Sequence, residues 1–139
     1  MPAPSNFLEN AVIESTLRGA AFPTISKVYV ALHTNDPTDA GGNEVTSALW
    51  PSYARQDAAK GGGIASGWTA AADGVSKNAL QLIFPVFDGT ADLTVTHFSL
   101  YDAATGGNML VHAPLQAQRT VQNGDVFVVD TQKLTVQCL

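Results

Sequence analysis

The sequence predicts a mainly β protein, an antiparallel β-sandwich or flattened barrel that carries one short N-terminal α-helix. Three observations predict it. A helical spacing of apolar residues occurs ahead of Gly19; the chain after Pro23 breaks into short β-branched and aromatic runs divided by Gly, Pro, Asn and Asp; and Thr96 to Val111 spells a strand, a tight turn and a second strand. The reading is of a single domain, with residues 1–19 as an N-terminal helical arm and residues 20–139 as the β-sandwich.

Each element follows from its residues. Asn6 stands where a helix cap belongs, with Glu9 in the capping-box place, Phe7, Leu8, Ala11 and Val12 as the apolar face and Gly19 as the stop. Ser26 to His33 alternates, with Val28, Val30 and Leu32 on one face, and Asn35 to Asn43 reads as a loop. Ser52 to Ala58 is a short strand, Lys60 to Gly63 breaks it, and Ile64 to Ala72 is a weak strand bearing Trp68. Asn78 to Phe87 is the most apolar run and reads as a central strand that Pro85 ends or bulges. Leu93 and Val95 share a face, but Phe98 and Leu100 have the opposite parity, so a β-bulge is expected near His97. Asp102 to Asn108 is a hairpin turn in which Gly106 and Gly107 supply positive φ. Met109 to Leu115, Val126 to Val129 and Leu134 to Leu139 are the last strands, with Gln122 to Asp125 as a turn. About seven or eight short strands result, a number that suits a sandwich.

Length and charge narrow the function classes. A chain of 139 residues can build one proper core without disulfides or metal. Charged residues make up 14% of it, against roughly 25% in soluble domains at large, so its surface is easy to desolvate against other subunits. The formal net charge is −5 and no Lys or Arg cluster exists, which argues against nucleic acid as a partner. No apolar run nears the roughly 20 residues of a membrane span. The N-terminus shows no basic region ahead of a hydrophobic core, so neither membrane nor secretion is expected, and the protein is expected to be assembled in a cytoplasm. Cys138 is the one cysteine; it shares a strand face with Leu134 and Val136 as a small apolar side chain, with an intersubunit disulfide as the alternative.

The loop from Asn35 to Glu44 gathers Asp36, Asp39 and Glu44, oxygen ligands of the kind calcium takes, but without the spacing of a helix-loop-helix calcium site. His33, His97 and His112 fall on predicted strands and lack the paired spacing of a zinc site, so they read as strand histidines satisfied by backbone or water. There is no Gly-x-Ser-x-Gly elbow, and Lys60-Gly61-Gly62-Gly63 lacks the order and following helix of a phosphate loop. No catalytic residue, metal site or cofactor is therefore expected. Arg and aromatic side chains carry much of the energy of protein interfaces. The candidates for contact are accordingly Phe7, Leu8 and Val12 on the helix, with Trp50, Tyr53, Arg55 and Trp68. Tyr53 and Arg55 share strand parity; the competing reading puts Tyr53 and Trp68 in the core and pairs Arg55 with Asp57 or Asp102.

Four ordered blocks carry a resemblance: Tyr29 to Pro37, Gly42 to Val45, Tyr53-Ala54-Arg55-Gln56, and Thr96 to Val111. Across about Val28 to Val136 they resemble a family of small tailed-bacteriophage virion structural proteins, often labelled phage tail fibre proteins. Thr46 to Ser52 departs from the family pattern, in which a shorter glycine-rich run precedes the Tyr-Ala-Arg-Gln block. The resemblance implies a noncatalytic virion protein. The compact length, with no shaft and no second module, leads us to expect capsid decoration, a cement protein on the outer shell bound to the major capsid protein or other virion subunits and present as a homo-oligomer. A tail or tail-tip fibre component contacting the host receptor is the alternative that the family label suggests. A calcium-dependent glycan-binding module, with Trp50 or Trp68 as stacking platform, is the third.

Overall fold

The structure is a computed structural model that describes residues 2–137, so the readings of Cys138 lie outside the described residues. It is mainly β, antiparallel throughout its sheets, with one short N-terminal helix and no closed barrel. The strands are β1 (Ala3–Pro4), β2 (Tyr29–His33), β3 (Gln56–Asp57), β4 (Val75–Lys77), β5 (Leu82–Ile83), β6 (Leu93–Tyr101), β7 (Met109–Val121), β8 (Val128–Val129) and β9 (Thr135–Gln137). A 5-stranded sheet runs β1-β7-β6-β2-β3, and two 2-stranded ribbons, β4-β9 and β5-β8, lie apart from it. Val30, Leu32, Val95, Phe98 and Leu110 from the sheet share one buried cluster with Leu82, Phe84, Phe87, Phe127, Val129 and Leu134 from the ribbon layer. Sheet and ribbons are thus the two faces of one core.

The helix, α1 (Asn6–Leu17), is capped one residue earlier than the sequence predicts. Ser5, not Asn6, has the extended backbone of a cap, and its Oγ accepts from the Leu8 amide at 3.2 Å. The reason is tertiary: the same Ser5 hydroxyl donates to the Met109 carbonyl, and the Ser5 amide donates to the Leu110 carbonyl at 2.9 Å. With Ser5 as cap, Glu9 falls one place beyond the capping-box position. Residues 3–4 pair antiparallel with β7, so the segment leading into the helix is itself a strand of the main sheet.

The bulge expected near His97 is present. Val95 pairs with Arg119 while His97 pairs with Pro114, so residues 115–118 stand opposite Thr96 alone. The β6-β7 hairpin turns through Gly106 and Gly107, at φ +60° and +72°, and Gly124 turns the 122–125 loop at φ +94°.

Three expected strands are corrected. Asn78 to Phe87 is not a central strand: regular pairing is confined to Leu82–Ile83, in a ribbon with Val128–Val129. Asn78 is fully buried and breaks the run at its start, its carboxamide donating to the Leu80 and Asp130 carbonyls and accepting from the Leu134 amide. Pro85 removes a further amide, yet Leu82, Phe84 and Phe87 still enter the core. Ile64 to Ala72 begins as a 3-10 helix over Ile64–Gly67, and Trp68 makes a single bridge to Asn78. The Ser52 to Ala58 strand shrinks to Gln56–Asp57, because Trp50 to Tyr53 closes as a turn.

Candidate functional site

The four family-like blocks meet around the Glu44–Arg55 pair, two through side chains and two mainly through backbone groups. Glu44 is held against the end of β2 by a bridge to His33, with the Val45 amide donating to the Leu32 carbonyl at 3.0 Å. Tyr53 and Arg55 approach from the turn that leads into β3, and their shared parity turns both towards Glu44. Arg55 forks onto the carboxylate, Nε to Oε2 at 2.9 Å and Nη2 to Oε1 at 2.8 Å. The Tyr53 hydroxyl donates to Oε2 at 2.9 Å and accepts from the Leu32 amide at 2.9 Å.

The same guanidinium closes the hairpin loop. Asp102 accepts from the Asn108 amide at 2.7 Å and from its carboxamide at 3.1 Å, and this curls the loop so that two carbonyls face inward. Arg55 Nη1 donates to both, Ala103 at 2.9 Å and Gly106 at 2.8 Å. The guanidinium carbon lies 3.6 Å from the centroid of the Tyr101 ring. Side-chain exposure is 8% for Arg55 and 23% for Glu44, so this is a largely buried, bidentate pair.

Electrostatics fix the charges. Burial would raise the Glu44 carboxyl, but the Arg55 fork and the Tyr53 hydroxyl outweigh it and hold it below the usual carboxylate range. Burial likewise disfavours the Arg55 charge and is outweighed by Glu44, which drives the guanidinium higher still. Burial, then the neighbouring carboxylate, pushes the Tyr53 phenol well up. Glu44 is therefore ionised and Tyr53 neutral across neutral pH, and the donors of the cluster are spent on one another. Such an arrangement ties three loops to one strand end.

The expected pairing of Arg55 with Asp57 or Asp102 is corrected. Asp57 takes Lys27 at 3.0 Å together with the Ala59 and Gly61 amides, and Asp102 is occupied by Asn108. The carboxylates of the Asn35 to Glu44 loop do not converge with Glu44: Glu44 goes to Arg55, while Asp36, which accepts from the Thr38 amide at 2.9 Å, and Asp39 both face the His112 ring, at 3.7 and 3.2 Å. Among the described residues, no group of three or more His, Cys, Asp or Glu is placed to hold a metal ion.

The histidines do not converge on one point. His33 is fully buried, its Nδ1 bonded to the Gly42 carbonyl at 2.9 Å and its Nε2 to the Ser99 hydroxyl at 2.7 Å, so Nδ1 carries the proton and Nε2 accepts. His97, opposite it on β6, bonds the Thr96 hydroxyl at 2.7 Å.

Of the contact candidates, Trp50 has 0% exposure and packs edge-on to Phe87 at 5.3 Å between ring centroids. It is core, and neither a contact surface nor a sugar platform. Tyr53 and Trp68 are half-buried against the same core, as are Phe7 and Leu8, while Val12 is exposed with Ile13 and Leu17 on the outer face of the helix. Sequence reasoning missed Glu44 as the partner of Arg55, Asn78 as the strap between ribbons, and Ser5 as the cap. Glu44 lies within a block that carries the resemblance, which is the one signal that pointed to it.

The fold and this clasp define a small antiparallel β module in which buried polar groups hold the loops at the ends of the strands. The chain belongs to a family of phage virion fibre proteins: the family model described as "Podophage GP4 fiber I protein gp80" matches residues 3–137. Comparison with curated proteins gives no match.

Proposed function

We propose that the protein is a noncatalytic fibre component of a tailed-phage virion, a compact β module that assembles with other virion subunits. The observation that carries this reading is the match to a fibre-protein family along residues 3–137, which favours the fibre alternative over shell decoration. The clasp supports it. Arg55, Glu44 and Tyr53 are consumed in fixing the Ala103 to Gly106 loop, an arrangement that makes a rigid tip and leaves no free acid or base there.

Within this reading the helix is the self-associating element. Val12, Ile13 and Leu17 are exposed at 45%, 51% and 79%, an apolar face for a neighbouring subunit in a homo-oligomer assembled in the host cytoplasm. The test is location and copy number in purified particles. Antibody-gold label at the tail with a copy number far below that of the shell subunit is expected; label spread over the head in near-equal number to the shell subunit would replace the fibre reading with decoration.

A further inference from the structure

The outer edge of β7 is unfinished. β1 covers it at Val111 and His112, yet β7 continues to Val121. From Pro114 to Thr120 every residue but Leu115 is exposed; residues 115–118 stand opposite Thr96 alone, and Arg119 and Thr120 return to pairing with Val95 and Thr94. Beneath it the two layers stand apart, and two hollows of about 170 and 220 Å³ adjoin, sharing Leu115, Gln116, Lys133 and Leu134. Their floor is core: Phe98, Phe127 and Leu134 are each 3% exposed or less.

Two cations flank this slot. Among the described residues neither Arg119 nor Lys133 has a carboxylate within ion-pair reach. Arg119 instead lies over the Phe127 ring at 4.9 Å and donates to the Val128 carbonyl. Asp130, the acid on the same rim, accepts from Gln81 at 2.7 Å. A trough with an apolar floor under an open strand edge, rimmed by two cations that lack ionic partners among the described residues, is complementary to one kind of occupant.

We propose that the slot takes an extended, acidic and apolar segment of a different virion subunit, added to the β7 edge as a further strand. This rests on the fibre reading above. A strand fits because the edge already accepts one: β1 pairs on it antiparallel, and the free run continues the same track. Alternate side chains of an added strand point to one face, which lets apolar residues enter the two hollows. An extended segment can offer its free amides and carbonyls to the open edge, whereas a helix has already spent its own on itself. Acidic residues flanking the apolar ones would meet Arg119 and Lys133, and a basic segment would be repelled.

The test is made in intact particles that carry the full-length chain with a photo-crosslinking residue at Gln118, and separately at Ile13 on the helix as a control. The expected result is a crosslink from position 118 to one other virion protein, mapping by peptide mass to an acidic, apolar segment. Arg119→Glu with Lys133→Glu should lower that yield by about tenfold, by placing like charges against the segment, while the melting temperature is kept. Ala117→Pro, which removes one edge amide, should lower it too. If the protein is present in particles but position 118 crosslinks nothing, another copy of this chain, or a basic or helical segment, the inference is overturned and the fibre reading stands. Absence of the protein from particles overturns both.

Discussion

Replacing Arg55 with Met removes a guanidinium that serves a carboxylate, two loop carbonyls and an aromatic face at once. It strands the Glu44 carboxylate with the Tyr53 hydroxyl as its remaining donor. Taking one partner from a buried ion pair costs roughly 3–5 kcal/mol. Glu44 keeps 23% exposure, so water can reach the stranded charge, and the lower end applies: a loss of about 3 kcal/mol is expected. For a chain of this length that corresponds to a fall of roughly 10 °C in Tm. The assay is urea unfolding, with a lower midpoint at unchanged slope, together with hydrogen exchange, which should speed up over residues 103–107. Arg55→Lys should recover little, because an ammonium cannot fork onto the carboxylate and reach the hairpin carbonyls together. The double variant Glu44→Gln with Arg55→Met should cost less than the two single losses added. A loss below about 1 kcal/mol for Arg55→Met, the worth of an exposed pair, would refute the clasp as the element that holds the hairpin.

Burial lowers the pKa of His33, against smaller opposing effects of the Gly42 carbonyl and Glu44. The unfolded chain therefore binds the proton more readily, and the contribution of His33 to stability is full above its ordinary value of 6.5 and lost as pH falls from there towards the folded value. Unfolding measured from about pH 7.5 to 5.5 should show a decline that His33→Gln flattens relative to wild type; an unaltered slope would remove His33 as its source. At the hairpin, a Cβ on Gly107 would lie 2.5 Å from the Asp102 carboxylate, whereas one on Gly106 meets nothing within 4 Å. Gly107→Val should therefore cost about 2–3 kcal/mol and Gly106→Val about 1, and equal costs would contradict the packing of the loop. A chelator should leave Tm unchanged, since Glu44 is committed to Arg55; a calcium-dependent rise in Tm would show that the Asn35 to Glu44 loop rearranges to bind metal.

Local physics carried the parts of this fold that a few neighbouring residues decide. The Gly106-Gly107 turn, the Gly124 turn and the bulge at His97 were legible because positive φ and side-chain parity are set within a few positions of the chain. The order of four blocks carried the family. What the sequence could not rank was competition between distant partners. Asn6 and Ser5 are both good caps, and the Met109 carbonyl across the fold selected Ser5. Asp57, Asp102 and Glu44 were all acids available to Arg55; two were already occupied by Lys27 and Asn108, and β2 pairing delivered the third. Trp50 read as a contact residue, and the convergence of Tyr53, Phe84 and Phe87 around it made it core. Asn78 opened the most apolar run of the chain, yet one buried carboxamide with three backbone partners converted that run from a strand into a strap. A hydrophobic pattern reports how much apolar surface a segment must bury. Which backbone groups it then has to satisfy is settled when the distant segments meet.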